Sequence, residues 1–136
     1  MKKYAGTLLI CKDTGNFLLL KRSKRATYPQ TWSIVSGGVE KGESTLDAAK
    51  RELWEETQIS AEDIEFNFFE NQTDITPFYF YIGYCEEEYE CILDDENIDW
   101  GWFNMNNLPE PLFPSLYSVL YIRCHSYSLE IKCTRI

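Results

Sequence analysis

The sequence has little that could build a disulfide scaffold, a zinc site or a histidine-based mechanism. Its five cysteines, Cys11, Cys85, Cys91, Cys124 and Cys133, are odd in number and include no CxxC pair. That argues against a disulfide framework and a structural zinc site, and suits thiols in a reducing cytosol. His125 is the only histidine and stands far in sequence from any catalytic-looking segment. A Ser-His-Asp or Cys-His mechanism would have to run through it, and it reads instead as a surface or packing residue. Long apolar runs are also missing. The opening MKKYAGTLLICKDTG is broken by Lys12 and Asp13, so it reads as neither a signal peptide nor a membrane span. Positive charge is scarce: 13 Lys and Arg stand against 22 Asp and Glu, for a net charge of −9. Binding along a duplex or a long RNA rests on clustered Lys and Arg. Here only Lys21, Arg22, Lys24 and Arg25 cluster, so a nucleic-acid-coating role is not expected. Repeats, low-complexity tracts and linker-like stretches are absent too. Residues 1–136 therefore read as a single domain, soluble and cytoplasmic.

What is present can build one core. Hydrophobic residues make up 44% of the chain and aromatics 15%, enough to bury a sheet and helices together. Tyr4 to Cys11 reads as a strand, Asp13-Thr14-Gly15-Asn16 as a turn, and Phe17 to Lys21 as the returning strand of a hairpin. Trp32 to Val35 reads as a short strand running into Ser36-Gly37-Gly38. Ser44 to Thr57 is the clearest helix, with Ser44 as N-cap, Asp47 three residues later, and Leu46, Ala49 and Leu53 on one apolar face. Glu65 to Glu70, Pro77 to Cys85 and Trp100 to Phe103 read as strands. The second of these is apolar throughout, as a central strand would be. A second helix is expected over Ser115 to His125. Strands on both sides of one strong helix give an α+β class with a mixed sheet.

The chemistry concentrates in GGVEKGESTLDAAKRELWEETQI, Gly37 to Ile59. Glu52, Glu55 and Glu56 stand at i, i+3 and i+4, so one helix face carries three carboxylates that repel one another. Arg51 and Lys50 offset part of this, and a hard divalent cation with a preference for oxygen ligands offsets more. The plain alternative is a solvated helix face. The paired glycines before the helix allow a sharp loop, and Glu40 and Glu43 lie between that loop and the helix. These features converge on one site suited to metal-assisted attack of water on a diphosphate.

This segment resembles the Nudix box, G-x5-E-x7-R-E-U-x-E-E-x-G-U, where U is a bulky apolar residue. Gly37, Glu43, Arg51-Glu52-Leu53, Glu55-Glu56 and Ile59 fill its positions, and Gln58 stands where the family has glycine. The flanking LLLKR, TWSIVSGG and DWGWFNMNNLP are similar to the surroundings of the box in small MutT-like members. The resemblance implies an α/β/α sandwich and a Mg²⁺ site, with Mn²⁺ as the alternative ion. Glu52, Glu55 and Glu56 would be the main metal ligands, joined by the carbonyl of Ser36, where many members have proline. Arg51 would orient the glutamates, and Glu43 would hold Arg51. Glu96, with Asp95 as alternative, is the candidate ligand or base from outside the box.

Arg22, Gly37, Gly38 and Trp102 are the expected substrate contacts. Lys21 and Arg25 are further candidates for phosphate, and Tyr28, Trp32, Trp100 and Phe103 for a base. Glu86-Glu87-Glu88 lacks the pattern of a calcium loop. The expected activity is hydrolysis of a phosphoanhydride in a nucleoside diphosphate linked to another group, with nucleoside triphosphates first. The alternatives are ADP-ribose or nucleotide sugars, a capped RNA 5′ end, and a nucleotide sensor without turnover. The expected partner is thus a small nucleotide, with no membrane and no other nucleic acid.

Overall fold

The computed structural model of the chain describes residues 2–70, 77–114, 116–117 and 119–120. Strand β1 (Tyr4–Cys11) is buried from Ala5 to Cys11, which requires that both faces of its sheet be covered. Leu8 and Ile10 point to one face, Leu9 and Cys11 to the other, in the period-two alternation of a strand. At the following turn Gly15 takes a φ of 75° and its N–H donates to the Cys11 carbonyl at 2.8 Å. Strand β2 (Phe17–Arg22) then returns antiparallel, with Phe17 opposite Ile10.

Beyond that pair the two arms of the hairpin separate. Strand β3 (Trp32–Ser33) pairs antiparallel with Leu20 and Lys21 of β2. Strand β4 (Val35–Gly38) pairs antiparallel with Tyr4 to Thr7 of β1. Residues 32–38 are thus a wedge that crosses from one arm to the other at Ile34. The single strand and glycine loop expected here are in fact two strands, and Gly37 and Gly38 lie in regular extended pairing. The glycines in the left-handed region are Gly15 and Gly42. The wedge is held closely: a Cβ on Gly6 of β1 would come within 2.6 Å of the Val35 carbonyl oxygen.

Helix α1 (Thr45–Thr57) follows, then one 3-10 turn (Ala61–Asp63) and strands β5 (Glu65–Glu70), β6 (Phe78–Cys85) and β7 (Asn97–Phe103). Strand β6 runs parallel to β1 from Tyr4↔Phe78 to Cys11↔Cys85, with β5 antiparallel on its other side. Strand β7 is antiparallel to β2, with Trp102 opposite Leu18. The sheet of the described residues therefore has seven strands and is mixed. Leu53 of α1 packs with Leu9, Leu18 and Leu20 on one face, while helical residues Leu116 and Leu120 pack with Leu8, Phe17, Leu19 and Phe80 on the other. This is the layered mixed-sheet fold expected. The remainder of the second helix expected over Ser115 to His125 lies outside the described residues, as do Cys124 and Cys133. Among the described residues no helix is long and apolar enough to cross a membrane.

Local chemistry sets both ends of α1. The Ser44 hydroxyl accepts from the Asp47 N–H at 3.0 Å, satisfying a donor that the first turn leaves free. At the other end Gln58 adopts φ 60° and ψ 24°, and its N–H donates to the Trp54 carbonyl at 2.8 Å. Glycine takes this left-handed position without strain, whereas a side chain there costs roughly 1–2 kcal/mol. Gln58→Gly is accordingly expected to leave stability unchanged or raise it by up to about 1 kcal/mol, the greater freedom of the unfolded glycine chain offsetting part of the relief. Urea denaturation checks this, and a loss of more than about 1 kcal/mol would show that the glutamine side chain makes a stabilising contact.

Candidate active site

Glu52 and Glu56 sit one turn apart on α1 with 7% and 5% of their surfaces exposed. Both turn toward the sheet rather than to solvent. Two donors from distant segments fix Glu56. The Ser36 N–H of β4 donates to its Oε2 at 3.1 Å, and Asn97 Nδ2, at the start of β7, donates to its Oε1 at 2.9 Å. Asn97 Nδ2 also donates to Asp94 Oδ1 at 3.2 Å, and the Glu96 N–H donates to the same oxygen at 3.1 Å. This corner brings the exposed Glu96 to the helix. One carboxylate oxygen each from Glu52, Glu56 and Glu96 lies within 4.8 Å of the other two. Gly37 stands against Glu52, and a Cβ there would overlap the Glu52 carboxylate. The glycine is needed for clearance, not for a turn.

Arg51 binds the remaining acids. Its Nε donates to Glu43 Oε2 at 2.8 Å and its Nη2 to Glu43 Oε1 at 3.1 Å, a two-point grip on one carboxylate. Nη2 also donates to the Gly38 carbonyl at 2.9 Å. Nη1 donates to Glu52 Oε1 at 2.9 Å and Glu55 Oε2 at 3.1 Å. Glu55 is thus drawn to Arg51, half-exposed, while Glu96 takes the third place in the carboxylate cluster.

Magnitudes identify what stresses this site. A like-charge pair at i, i+4 on an exposed helix costs only about 0.2–0.5 kcal/mol. Two carboxylates this close inside a protein repel by about 3 kcal/mol at an effective dielectric near 20, and each bears a desolvation cost besides. Burial raises the Glu56 carboxyl well above its ordinary range, and Asn97 offsets only part of that. Burial raises Glu52 as well, with Arg51 opposing. Glu43 goes the other way, lowered by its bonds to Arg51 and by the Glu40 N–H. Three convergent carboxylates, two of them buried, with one hydrogen bond each to the Glu56 oxygens, form an all-oxygen donor set. Such a set fits a hard divalent cation, whose charge removes the repulsion.

Glu56, Glu96, Asn97, Ser36 and Gly37 line a cleft of about 950 Å³. Arg22 and Arg25 line it too, along with the rings of Tyr4, Tyr28, Phe78 and Phe113. Of the expected contacts, Arg22 is there, but two of its nitrogens are engaged by Thr27: Nε donates to the Thr27 carbonyl at 2.8 Å and Nη2 to its hydroxyl at 2.9 Å. Arg25 makes no ion pair with the described residues. Trp102 is placed elsewhere. It packs with the α1-side cluster, and its indole N–H donates to the Tyr89 carbonyl at 3.0 Å. Gly38 meets Arg51 through its carbonyl and is not part of the cleft lining. Asn97 was not singled out from the sequence, although it directly follows Glu96. The strand expected to begin at Trp100 begins three residues earlier, at Asn97, so the sequence carried no signal for this residue. Phe78 and Phe113 line the cleft as well, and no pattern in the sequence distinguishes them from other aromatic residues.

A family model described as NUDIX domain matches residues 1–121 of the chain. The RNA pyrophosphohydrolase of Cereibacter sphaeroides (strain ATCC 17029 / ATH 2.4.9) is 54% identical over 35 residues, which are 26% of this chain and 22% of that protein. The match thus spans under a quarter of that relative's length. A solved binary complex of the C. elegans Ap4A hydrolase is similar at 27% identity and a TM-score of 0.63, covering 75% of this chain and 79% of that one. A Nudix hydrolase from M. Smegmatis, RenU, shares the fold at a TM-score of 0.82 and 18% identity, covering 95% of this chain and 86% of that one.

Two outcomes follow from the electrostatics and the clearance. A carboxyl whose folded pKa is raised loses stability as pH climbs from its unfolded value, 4.5 for a glutamate, through the folded one. In cation-free buffer, Glu56→Gln should therefore gain thermal stability relative to wild type as pH rises from about 5 to about 8. Parallel melting curves would refute the buried charge. Gly37→Ala should weaken Mn²⁺ binding, measured by calorimetry, by about tenfold or more, because Glu52 must move. Unchanged affinity would show that Glu52 is not a ligand.

Proposed function

The chain belongs to the Nudix family, and from that premise we propose that it is a Mg²⁺-dependent pyrophosphohydrolase whose substrate is a nucleoside diphosphate linked to another group. Nucleoside triphosphates are the leading substrate class. The observation that carries this reading is the convergence of Glu52, Glu56 and Glu96 beside a cleft large enough for a nucleotide. Glu52, Glu56 and Glu96 would hold the ion, with Mn²⁺ as the substitute and the Ser36 carbonyl as a further donor. When bound, the ion supplies screening of phosphate charge and acidification of water.

The other steps belong to the chain's own residues. Arg51 keeps Glu52, Glu55 and Glu43 in fixed positions without facing the substrate. Asn97 and the Ser36 N–H hold Glu56 by opposite oxygens, so its remaining lone pairs keep one direction. A proline at 36 would have no N–H for this bond. In its alternative role, as base rather than ligand, Glu96 at the cleft would take the proton from an attacking water, with Asp95 beside it in the lining as the alternative residue. Of the two arginines that line the cleft, Arg25 makes no ion pair with the described residues and would meet phosphate.

The similarity to an RNA pyrophosphohydrolase supports a second substrate, a 5′-phosphorylated RNA end. The net charge of −9 opposes a long RNA footprint. A release assay with Mg²⁺ should cover normal and oxidised nucleoside triphosphates, ADP-ribose, nucleotide sugars, dinucleoside polyphosphates and both triphosphorylated and capped RNA. It is expected to give metal-dependent turnover that Glu56→Gln lowers by about a hundredfold or more. Ligand binding without turnover anywhere in the panel would replace the hydrolase by a sensor.

A further inference from the structure

The segment between β2 and β3 is more tightly built than a connecting loop needs to be. Arg22 pins it from within. Besides its two bonds to Thr27, its carbonyl accepts from the Gln30 N–H at 3.1 Å and its N–H donates to the Thr31 carbonyl at 2.8 Å. The Thr31 hydroxyl donates to the Tyr28 carbonyl at 2.8 Å. Within this frame Tyr28 and Gln30 have φ of 49° and 59°, a left-handed conformation that bulky side chains rarely adopt. Pro29 between them adds its own restriction on Tyr28. Strain of this kind persists only where surrounding bonds over-determine it, and it clusters at ligand clamps.

What the strained backbone presents is a ring. Tyr28 lines the cleft with 55% of its surface exposed. It meets Phe113 edge to face, with ring centroids 5.1 Å apart at 73°, and Phe113 in turn lies 5.0 Å beneath the Arg22 guanidinium. A T-shaped contact covers at most one face of the tyrosine, and with 55% of its surface exposed the residue keeps area for a further contact. The same segment is tied to the carboxylate corner, because the Ser23 N–H donates to the Glu96 carbonyl at 2.9 Å. The ring and the acid cluster are therefore held at a fixed separation along one cleft.

We propose that Tyr28 is the stacking platform for the nucleobase of the bound nucleotide, held over the cleft by the Arg22-pinned loop. This rests on the nucleotide-hydrolase reading of the site. Because every base has a π-face, the platform grips any base alike and leaves discrimination among bases weak.

The test combines binding and kinetics on wild type, Tyr28→Ala, Tyr28→Leu, Tyr28→Phe and Tyr28→Trp, each checked for native circular dichroism. Equilibrium dialysis with AMP and with GMP, without metal, should show affinity falling about tenfold in Tyr28→Ala and Tyr28→Leu and returning in Tyr28→Phe and Tyr28→Trp. With a nucleoside triphosphate that the wild type turns over, KM should rise by a similar factor while kcat stays within about twofold. Inhibition by inorganic tripolyphosphate, which has no base, should not change. Wild-type affinity in Tyr28→Ala would overturn the platform, as would Tyr28→Phe behaving like Tyr28→Ala. A marked, Tyr28-dependent preference between AMP and GMP would overturn its tolerance of the base. If the wild type turns nothing over yet binds AMP through Tyr28, the hydrolase reading fails and the platform stands.

Discussion

Glu56 is a carboxylate taken almost wholly out of water and set beside a second buried carboxylate. Unpaired, it would cost several kcal/mol, so the structure around it must supply donors from the right directions. One comes from the backbone of β4 and one from the side chain that opens β7. Strand β4 directly precedes α1, yet Ser36 lies 20 residues before Glu56, and Asn97 of β7 lies 41 residues after it. Strand β4 reaches Glu56 because it is zipped onto β1, and β7 because it is zipped onto β2. The arrangement of the sheet is thus the means by which one buried charge is held.

That dependence explains the wedge of residues 32–38. Had β1 and β2 stayed paired along their length, β4 could not lie against β1, and the Ser36 N–H would not face α1. Separating the hairpin arms admits the wedge and leaves room for the segment that Arg22 pins. The Ser23 bond to the Glu96 carbonyl then joins that segment to the 94–97 corner. The carboxylates, the strained loop and the cleft are consequences of one topological choice.

Chemistry and stability pull in opposite directions here. Arg51 grips Glu43 and half-exposed Glu55, whereas burial, with repulsion added, costs Glu52 and Glu56 more than the protein's own donors return. Such a cluster is destabilised for as long as no counter-charge balances it. Gln58 is a different case, a local strain at the end of α1 with no part in the cluster.

By itself the sequence determined the features set within a few residues. The Ser44 cap and the Arg51–Glu55 pair depend on helix geometry alone, so spacing was enough to read them, whereas Gln58 stood out only through the resemblance to the box. The spacing of the box also exposed the acids of α1, and the alternation of β1 and β2 exposed the hairpin. Tertiary structure decided which of those acids converge. Glu96 entered the cluster and Glu55 left it, because the direction of α1's faces depends on what the sheet presents, while Asn97 and Ser36 become partners of Glu56 only through pairing across distant strands. It also decided that Trp102 turns to the α1 side, since strand parity fixes that two residues share a face but not which face looks on the cleft. Gly37 shows the limit most directly. Its need for glycine comes from a carboxylate fifteen residues away, and no local rule of the chain contains it.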